Sequence, residues 1–232
     1  MSGHTDLMDL EIRPAVADDA DAIAEAHIAA WRVAYAHVVP RWFLDDPRFE
    51  SARFDGWRRK LVDDHRPDGW DPHDQVFSGL IAGRVVGFGH VGAALDEGAD
   101  GELYGFYVHP DAWGTGLADA LIERCHAALA DRFDDALLWV LTDNPRAQRF
   151  YERNGWSCGL GDELIEDVWP GPSMPGMPPF EAPLAETRYR RPLPRAPTVT
   201  AALTSESSRE RSGGWSTPSR CHRWSCAVGG TR

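Results

Sequence analysis

Apolar and polar positions recur along the chain with two periods, and each period maps an element. Leu10 to Arg13 reads as a short first strand, closed by Pro14. Ile23, Ala26, His27, Ala30 and Ala34 then recur at helical spacing, with Asp18 or Asp19 as cap and Asp21 in the first turn. Trp31 and Tyr35 share one stripe of that helix. A second helical region over 41–61 draws apolar area from Trp42, Phe43, Phe54, Trp57 and Leu61, and Pro47 breaks it in two. Residues 63–74 are polar and turn-rich. Gln75 to Ala82 and Arg84 to Val91 read as a hairpin turning about Ala82, Gly83 and Arg84. An acidic loop from Asp96 to Gly101 leads to a strand at Glu102.

Further along, Leu117, Leu121, Cys125 and Leu129 step by four, and Ile122 widens their stripe. Ala136 to Leu141 is an unbroken apolar run, the mark of a central strand buried on both faces. Strand, helix and strand predict a right-handed crossover between parallel strands. Asp143 or Asn144 caps the next helix, Pro145 suits its first position and Gly155 its stop. Trp156 to Leu160 reads as another strand. Six prolines between Pro170 and Pro183 predict a long surface loop over or beside the site, before Leu184 to Arg191 resume a strand-like alternation. The Ser-, Thr-, Gly- and Arg-rich remainder predicts a disordered tail. The division is one domain over 8–193, with a proline-rich loop at about 168–183, and a tail over 194–232.

Composition narrows the class. A chain of 232 residues, 43% apolar with 10 Trp and 9 Phe, has material for one full core. Net charge is −12, although residues 195–232 hold six Arg against two Glu. An acidic body repels phosphate backbones, which argues against nucleic acid and toward a cationic small molecule or peptide. No stretch approaches the ~20 apolar residues of a membrane span, and Met1 to Met8 lack the basic and apolar parts of a secretory signal. The expected location is the cytoplasm. Cys125, Cys158, Cys221 and Cys226 make no disulfide framework: they fall in a predicted helix, a predicted strand and the tail. Neither the tail cysteines nor the histidines show complete metal-ligand spacing, so no metal is expected.

Two stretches carry chemistry. From Glu102 to Ala118 the chain reads as an apolar strand, a glycine turn and a helix opening. Trp113, Gly114, Thr115, Gly116, Leu117 and Ala118 put small residues where a backbone must approach a ligand closely. The helix behind them offers N–H groups and a dipole to an anion such as a pyrophosphate. The turn lacks the lysine ending of a triphosphate loop and the third glycine of a dinucleotide fingerprint. The second stretch, Asn144 to Gly155, is a short capped helix carrying Phe150 and Tyr151, whose phenol is a candidate proton donor.

The first stretch resembles the acetyl-CoA motif of the GNAT superfamily of N-acetyltransferases through Val108, Pro110, Gly114 and Gly116, with Asp111 where Gln or Arg is usual. The second is similar to another motif of that superfamily through Asn144, Ala147, Phe150, Tyr151, Gly155 and Trp156. The front, with Ile12 to Ala15, Trp31, Tyr35, Pro40 and Leu44, resembles a common bacterial branch, so the likeness runs from about Leu10 to Leu193. It implies an α/β GNAT fold: a mixed central sheet with splayed central parallel strands, flanked by helices. It implies an acyltransferase moving acetyl from acetyl-CoA to a primary amine of a small molecule or peptide by direct attack, without a metal.

Roles follow from the same resemblance. Phe106, Tyr107, Val108, Trp113, Gly114, Thr115, Gly116, Leu117, Ala118 and Asn144 would hold acetyl-CoA. The backbone N–H groups of 106–108 would polarise the acetyl carbonyl. Tyr151 would protonate the leaving thiolate, Glu102 would take the amine's proton, and Trp31, Tyr35 and Tyr104 would line the acceptor side. Acetylation of protein N-termini and non-catalytic acyl-CoA sensing stay open as alternatives, as does a homodimer built on the β-rich C-terminal part.

Overall fold

In the computed structural model, residues 9–65, 71–96, 98–158, 166–169, 177–178 and 180–194 are described. The strands β1 (Leu10–Pro14), β2 (Gln75–Ile81), β3 (Arg84–Ala93) and β4 (Gly101–Val108) form an antiparallel meander in chain order. β4 then runs parallel to β5 (Asp135–Leu141), and β7 (Leu184–Pro192) and β6 (Glu166–Trp169) complete a seven-stranded sheet in the order β1-β2-β3-β4-β5-β7-β6. The β2–β3 hairpin closes as expected. Ala82 and Gly83 both take positive φ, 49° and 75°, the geometry that matches the twist of the flanking strands.

Alternation along the strands sends side chains to two apolar layers. On one face Phe77, Val86 and Val108 pack against α4 (Leu117–Ala130), whose Leu117, Leu121, Ile122, Cys125 and Leu129 are all fully buried. Tyr151 of α5 (Pro145–Arg153) and Trp156 close this layer. On the other face Val76 and Phe88 meet α1 (Ala20–Ala34) and α3 (Pro47–Leu61). An aromatic cluster of Trp31, Tyr35, Phe43 and Phe49 joins α1 and α3 to the short α2 (Arg41–Leu44). Pro47 opens α3, so the predicted break is a helix start with Asp46 as its cap.

Several boundaries differ from the pattern reading. Pro14 does not close the first strand but pairs within it, opposite Phe77, because an edge strand tolerates a missing donor. Asp19 makes no side-chain cap on α1. Its carboxylate instead accepts from the Val16 N–H (3.0 Å), the Arg13 guanidinium (2.6 Å) and the Ser78 hydroxyl (2.8 Å), tying the turn before α1 to β1 and β2. Among the described residues after α5, a bridge joins Ser157 to Arg190 where a strand was expected, and Cys158 is exposed beyond it. Gly159 and Leu160 lie outside the described residues, as do 170–176 and the tail from Arg195. β6 takes Val168 and Trp169 out of the expected loop, since pairing with β7 decides a four-residue strand that no local pattern marks. Met177 and Phe180, in the described part of that loop, are buried against the aromatic cluster, with the Phe180 ring 5.4 Å from Phe43. No described helix is long and apolar enough to cross a membrane.

Candidate functional site

The parallel pairing of β4 with β5 covers only Gly101 opposite Ala136 and Glu102 opposite Leu137. From Leu103 onward the strands part, and a cavity of about 480 Å³ is lined by Leu103 to Val108 on one side and Trp139 and Val140 on the other. A register shift at His90 and Val91 of β3 coincides with this opening. Such a shift inserts an extra residue and re-aims the side chains that follow. Tyr104 and Tyr107 thus face α1 and α3, whereas Phe106 and Val108 pack toward α4.

One half of the cavity lies at the N-terminus of α4. The Trp113 indole N–H donates to the Val108 carbonyl (2.9 Å), and the Thr115 hydroxyl donates to that of Ala112 (2.8 Å) and accepts the Leu117 N–H (3.3 Å). These bonds hold Gly114 and Gly116 at φ of 81° and 88°, conformations glycine adopts without strain. A Cβ at either glycine would meet nothing within 4 Å, so the backbone faces open space. Trp113, Gly114, Gly116, Ala118 and Asn144 line this half, as do Phe106 and Val108, whereas the Tyr107 ring lines the cavity from the other side, 4.4 Å from His27. Thr115 and Leu117 do not: the first holds the turn, and the second is a fully buried core side chain. Asn144 caps α5, its Oδ1 accepting the Ala147 N–H (3.1 Å).

Positive charge was missed in the sequence. The Arg146 guanidinium lies 3.4 Å from the Trp113 ring centroid, and Arg146 and Arg153 both line the cavity. Their signal was weak, since arginines on an exposed helix face are commonplace. Asp111, which stands against the family motif, is 81% exposed beside His109 and does not line the cavity.

The other half of the cavity is walled by α1, α3, β3, β4 and β7. Trp31, Tyr35 and Tyr104 line it, with the Tyr104 hydroxyl donating to the Ala93 carbonyl. Tyr35 and Tyr107 share a hydrogen bond, and burial pushes both phenols up. The further lining residues that were not anticipated include the polar Arg53, Lys60, His90 and Glu186. The Asp74 carboxylate, fully buried, accepts from Lys60 and lies 2.5 Å from His90 Nε2. These partners hold its carboxyl well below the usual range despite burial, which acts against them. His27 accepts the Trp57 indole N–H at Nδ1 (3.2 Å) and is kept neutral first by burial, then by the charge of Arg53.

Tyr151 sits where the two halves meet. Its phenol is pushed up by burial and feels both Tyr107 of β4 and Cys125 of α4. Glu102 is placed differently from the other predicted residues. It lies where β4 is still paired with β5, is fully buried and does not line the cavity. Its carboxylate accepts the Leu95 N–H (3.0 Å).

Burial pushes the Glu102 carboxyl up to about 8, against the Leu95 bond and with help from the charge of Glu186. The folded chain therefore holds a proton there that the unfolded chain releases near the ordinary 4.5. The stability this group contributes is present in full below the unfolded value and is lost as pH rises through about 8. Glu102→Gln should gain stability relative to the native chain between pH 5 and 8, read as a difference in urea midpoints at the two ends of that range.

A two-sided α/β sheet whose parallel strands part over a glycine-turned helix end frames one continuous cavity. Comparison with known proteins assigns the chain to a family. The model described as "Acetyltransferase (GNAT) family" matches residues 36–156, more than half of the sequence, and the chain belongs to that family and is an acyltransferase. It is 27% identical over 138 residues to the uncharacterized N-acetyltransferase YuaI of Bacillus subtilis, covering 58% of this chain and 73% of that protein. It is 34% identical over 97 residues to a mycothiol acetyltransferase of Streptomyces griseus, covering 41% of this chain but only 31% of that longer protein. Among solved structures, the PaiA N-acetyltransferase of Thermoplasma acidophilum in complex with coenzyme A superposes with a TM-score of 0.55 at 13% identity, over 80% of this chain and 99% of that one. An acetyltransferase of Salmonella typhimurium, yncA, with its cofactor acetyl-CoA, gives 0.54 at 20% identity, over 84% and 99%. These likenesses establish the GNAT fold.

Proposed function

We propose that the chain transfers acetyl from acetyl-CoA to the primary amine of a small molecule. The observation that carries this reading is the continuity of the cavity from the glycine turn, past Tyr151, into an aromatic-walled chamber between α1, α3 and β7. The residues present fit the cosubstrate. Gly114 and Gly116 leave an open cradle in front of the α4 N-terminus, where helix N–H groups favour a pyrophosphate. Arg146 supplies positive charge beside it, whereas the charge of Arg153 is matched by Asp119 (3.1 Å), which lines the cavity too. Capping occupies Asn144 Oδ1, which leaves the amide N–H groups of that side chain to meet a pantetheine arm. When bound, acetyl-CoA supplies an activated thioester carbonyl. The β5-facing edge of β4 around 106–108, beyond the last paired residue, offers backbone N–H groups to it.

A phenol raised by burial keeps its proton at neutral pH and can give it to a leaving thiolate. An attacking amine, with a pKa near ~10.4 in water, must first lose a proton. Glu186 lines the chamber and takes it in this scheme, with Glu102 behind it as a second, electrostatically linked carboxyl.

Thiol release from acetyl-CoA against a panel of small amines and peptides tests the reading. Turnover on small amines supports it, and turnover confined to peptide N-termini contradicts the small-molecule assignment. Removal of a charge beside the phosphates gives a second check. Arg146→Ala should weaken acetyl-CoA binding by about tenfold, more at low salt than at high, as measured by isothermal titration at two ionic strengths.

A further inference from the structure

One imidazole in the wall of the aromatic chamber has one end occupied and the other open. His27 of α1 lines the cavity among the rings of Tyr107 (centroids 4.4 Å apart), Phe88 (5.2 Å), Trp31 and Trp57 (both 6.2 Å). Its Nδ1 lies 3.2 Å from the Trp57 indole nitrogen. An indole N–H can only donate, so Nδ1 carries the lone pair and accepts. Burial first, then the charge of Arg53, hold the ring neutral, and in a neutral ring so fixed the proton sits on Nε2. Nε2 makes no hydrogen bond among the described residues and is not sealed from open space, so its N–H faces the cavity that the ring lines.

Two roles are closed to such a histidine. It is no general base, because Trp57 holds the one lone pair of the neutral ring and Nε2 already carries a proton. Nor does it hold the reacting amine: an ammonium offers only donors, and a free amine that accepted the N–H would give up the lone pair it needs for attack. What the open N–H can take is an oxygen acceptor, and that oxygen must belong to a different group of the substrate. We propose that His27 reads an oxygen of the acceptor, and that the substrate is an amine bearing a hydroxyl, phenol or carbonyl away from its nitrogen. This rests on the acetyl-transfer reading and narrows it. A donor locked in place by Trp57 loses water when the chamber fills, so an amine without the oxygen leaves it unpaired and is rejected. The surrounding rings receive the carbon frame of the substrate.

The experiment measures thiol release by the full chain over matched acceptors: amino alcohols from ethanolamine to aminohexanol against alkylamines of equal length, and tyramine against phenethylamine. At least one oxygen-bearing member should exceed its partner in kcat/KM by about tenfold or more. His27→Phe should raise KM for that member by about tenfold and shrink its advantage to about twofold, with kcat changed less. His27→Gln keeps an N–H donor and should restore part of the advantage. Independently of turnover, NMR of histidine-labelled protein at pH 7 should show one ring protonated at Nε2 alone whose signal is missing in His27→Gln. A His27 protonated at Nδ1 would overturn the donor assignment. Parity within every pair for the native chain would overturn the oxygen reading while leaving acetyl transfer intact, and this comparison stands alone if His27→Phe fails to fold. A His27→Phe loss shared equally by both members of a pair would leave the residue only a packing role and overturn the inference. Absence of thiol release with every amine in the wider panel would overturn the transfer reading and this inference together.

Discussion

Tyr151→Phe should lower kcat by about 10²-fold or more, while acetyl-CoA binds within about twofold of the native affinity. The ring contributes to the buried layer with Trp156 and Phe150, and phenylalanine keeps that packing. What the substitution removes is the buried hydroxyl, which lines the cavity and feels both Tyr107 and Cys125. A residue that only packed would leave kcat nearly unchanged. The split is read by pairing steady-state kinetics with a binding isotherm, and equal losses in both would move Tyr151 from proton donor to binding contact.

The second large effect belongs to the glycine turn. Gly116→Val should abolish measurable acetyl-CoA binding while the chain still folds. At φ 88° a branched side chain is strained, at a cost of about 1–2 kcal/mol. That cost alone lies well within the stability of an ordinary domain, ~5–15 kcal/mol. The protein itself offers no clash, because nothing lies within 4 Å of the added Cβ. The space that the side chain fills is the space a pyrophosphate needs. Thermal unfolding and titration on the same sample separate the two consequences: a modest fall in Tm with binding lost is expected, and retained binding would remove the turn from the cosubstrate site.

The two halves of the site differed in how far they were readable. The half at the glycine turn is built from contiguous stretches, Val108 to Ala118 and Asn144 to Tyr151, in which turn, cap and helix are all local events. Its architecture is therefore written in consecutive residues, as is the stripe of Leu117, Leu121, Cys125 and Leu129. The aromatic-walled half is assembled from α1, α3, β3, β4 and β7, and Arg53, His90 and Glu186 come to one cavity only through the sheet order and the packing of α3 on the sheet. Alone, an arginine on a polar helix, a histidine in a strand and a glutamate in an alternating strand carry no shared pattern. Glu102 shows the limit of period-two reasoning. The sequence sets it on one face with Tyr104, but the point where β4 leaves β5 falls between them, so Tyr104 lines the cavity and Glu102 is sealed beneath it. Asp111 is the converse case, an apparent defect in a motif that the exposed turn carries away from the site.

The central claim is that one continuous cavity receives acetyl-CoA at the glycine turn and presents its acetyl group to the aromatic chamber. Isothermal titration of the full chain with acetyl-CoA, repeated with a non-hydrolysable thioether analogue and an acceptor amine present, tests it most directly. The account predicts saturable one-to-one binding of acetyl-CoA, and simultaneous rather than competitive binding of analogue and amine. Absence of saturable acetyl-CoA binding, or mutual exclusion of the two ligands, would contradict it.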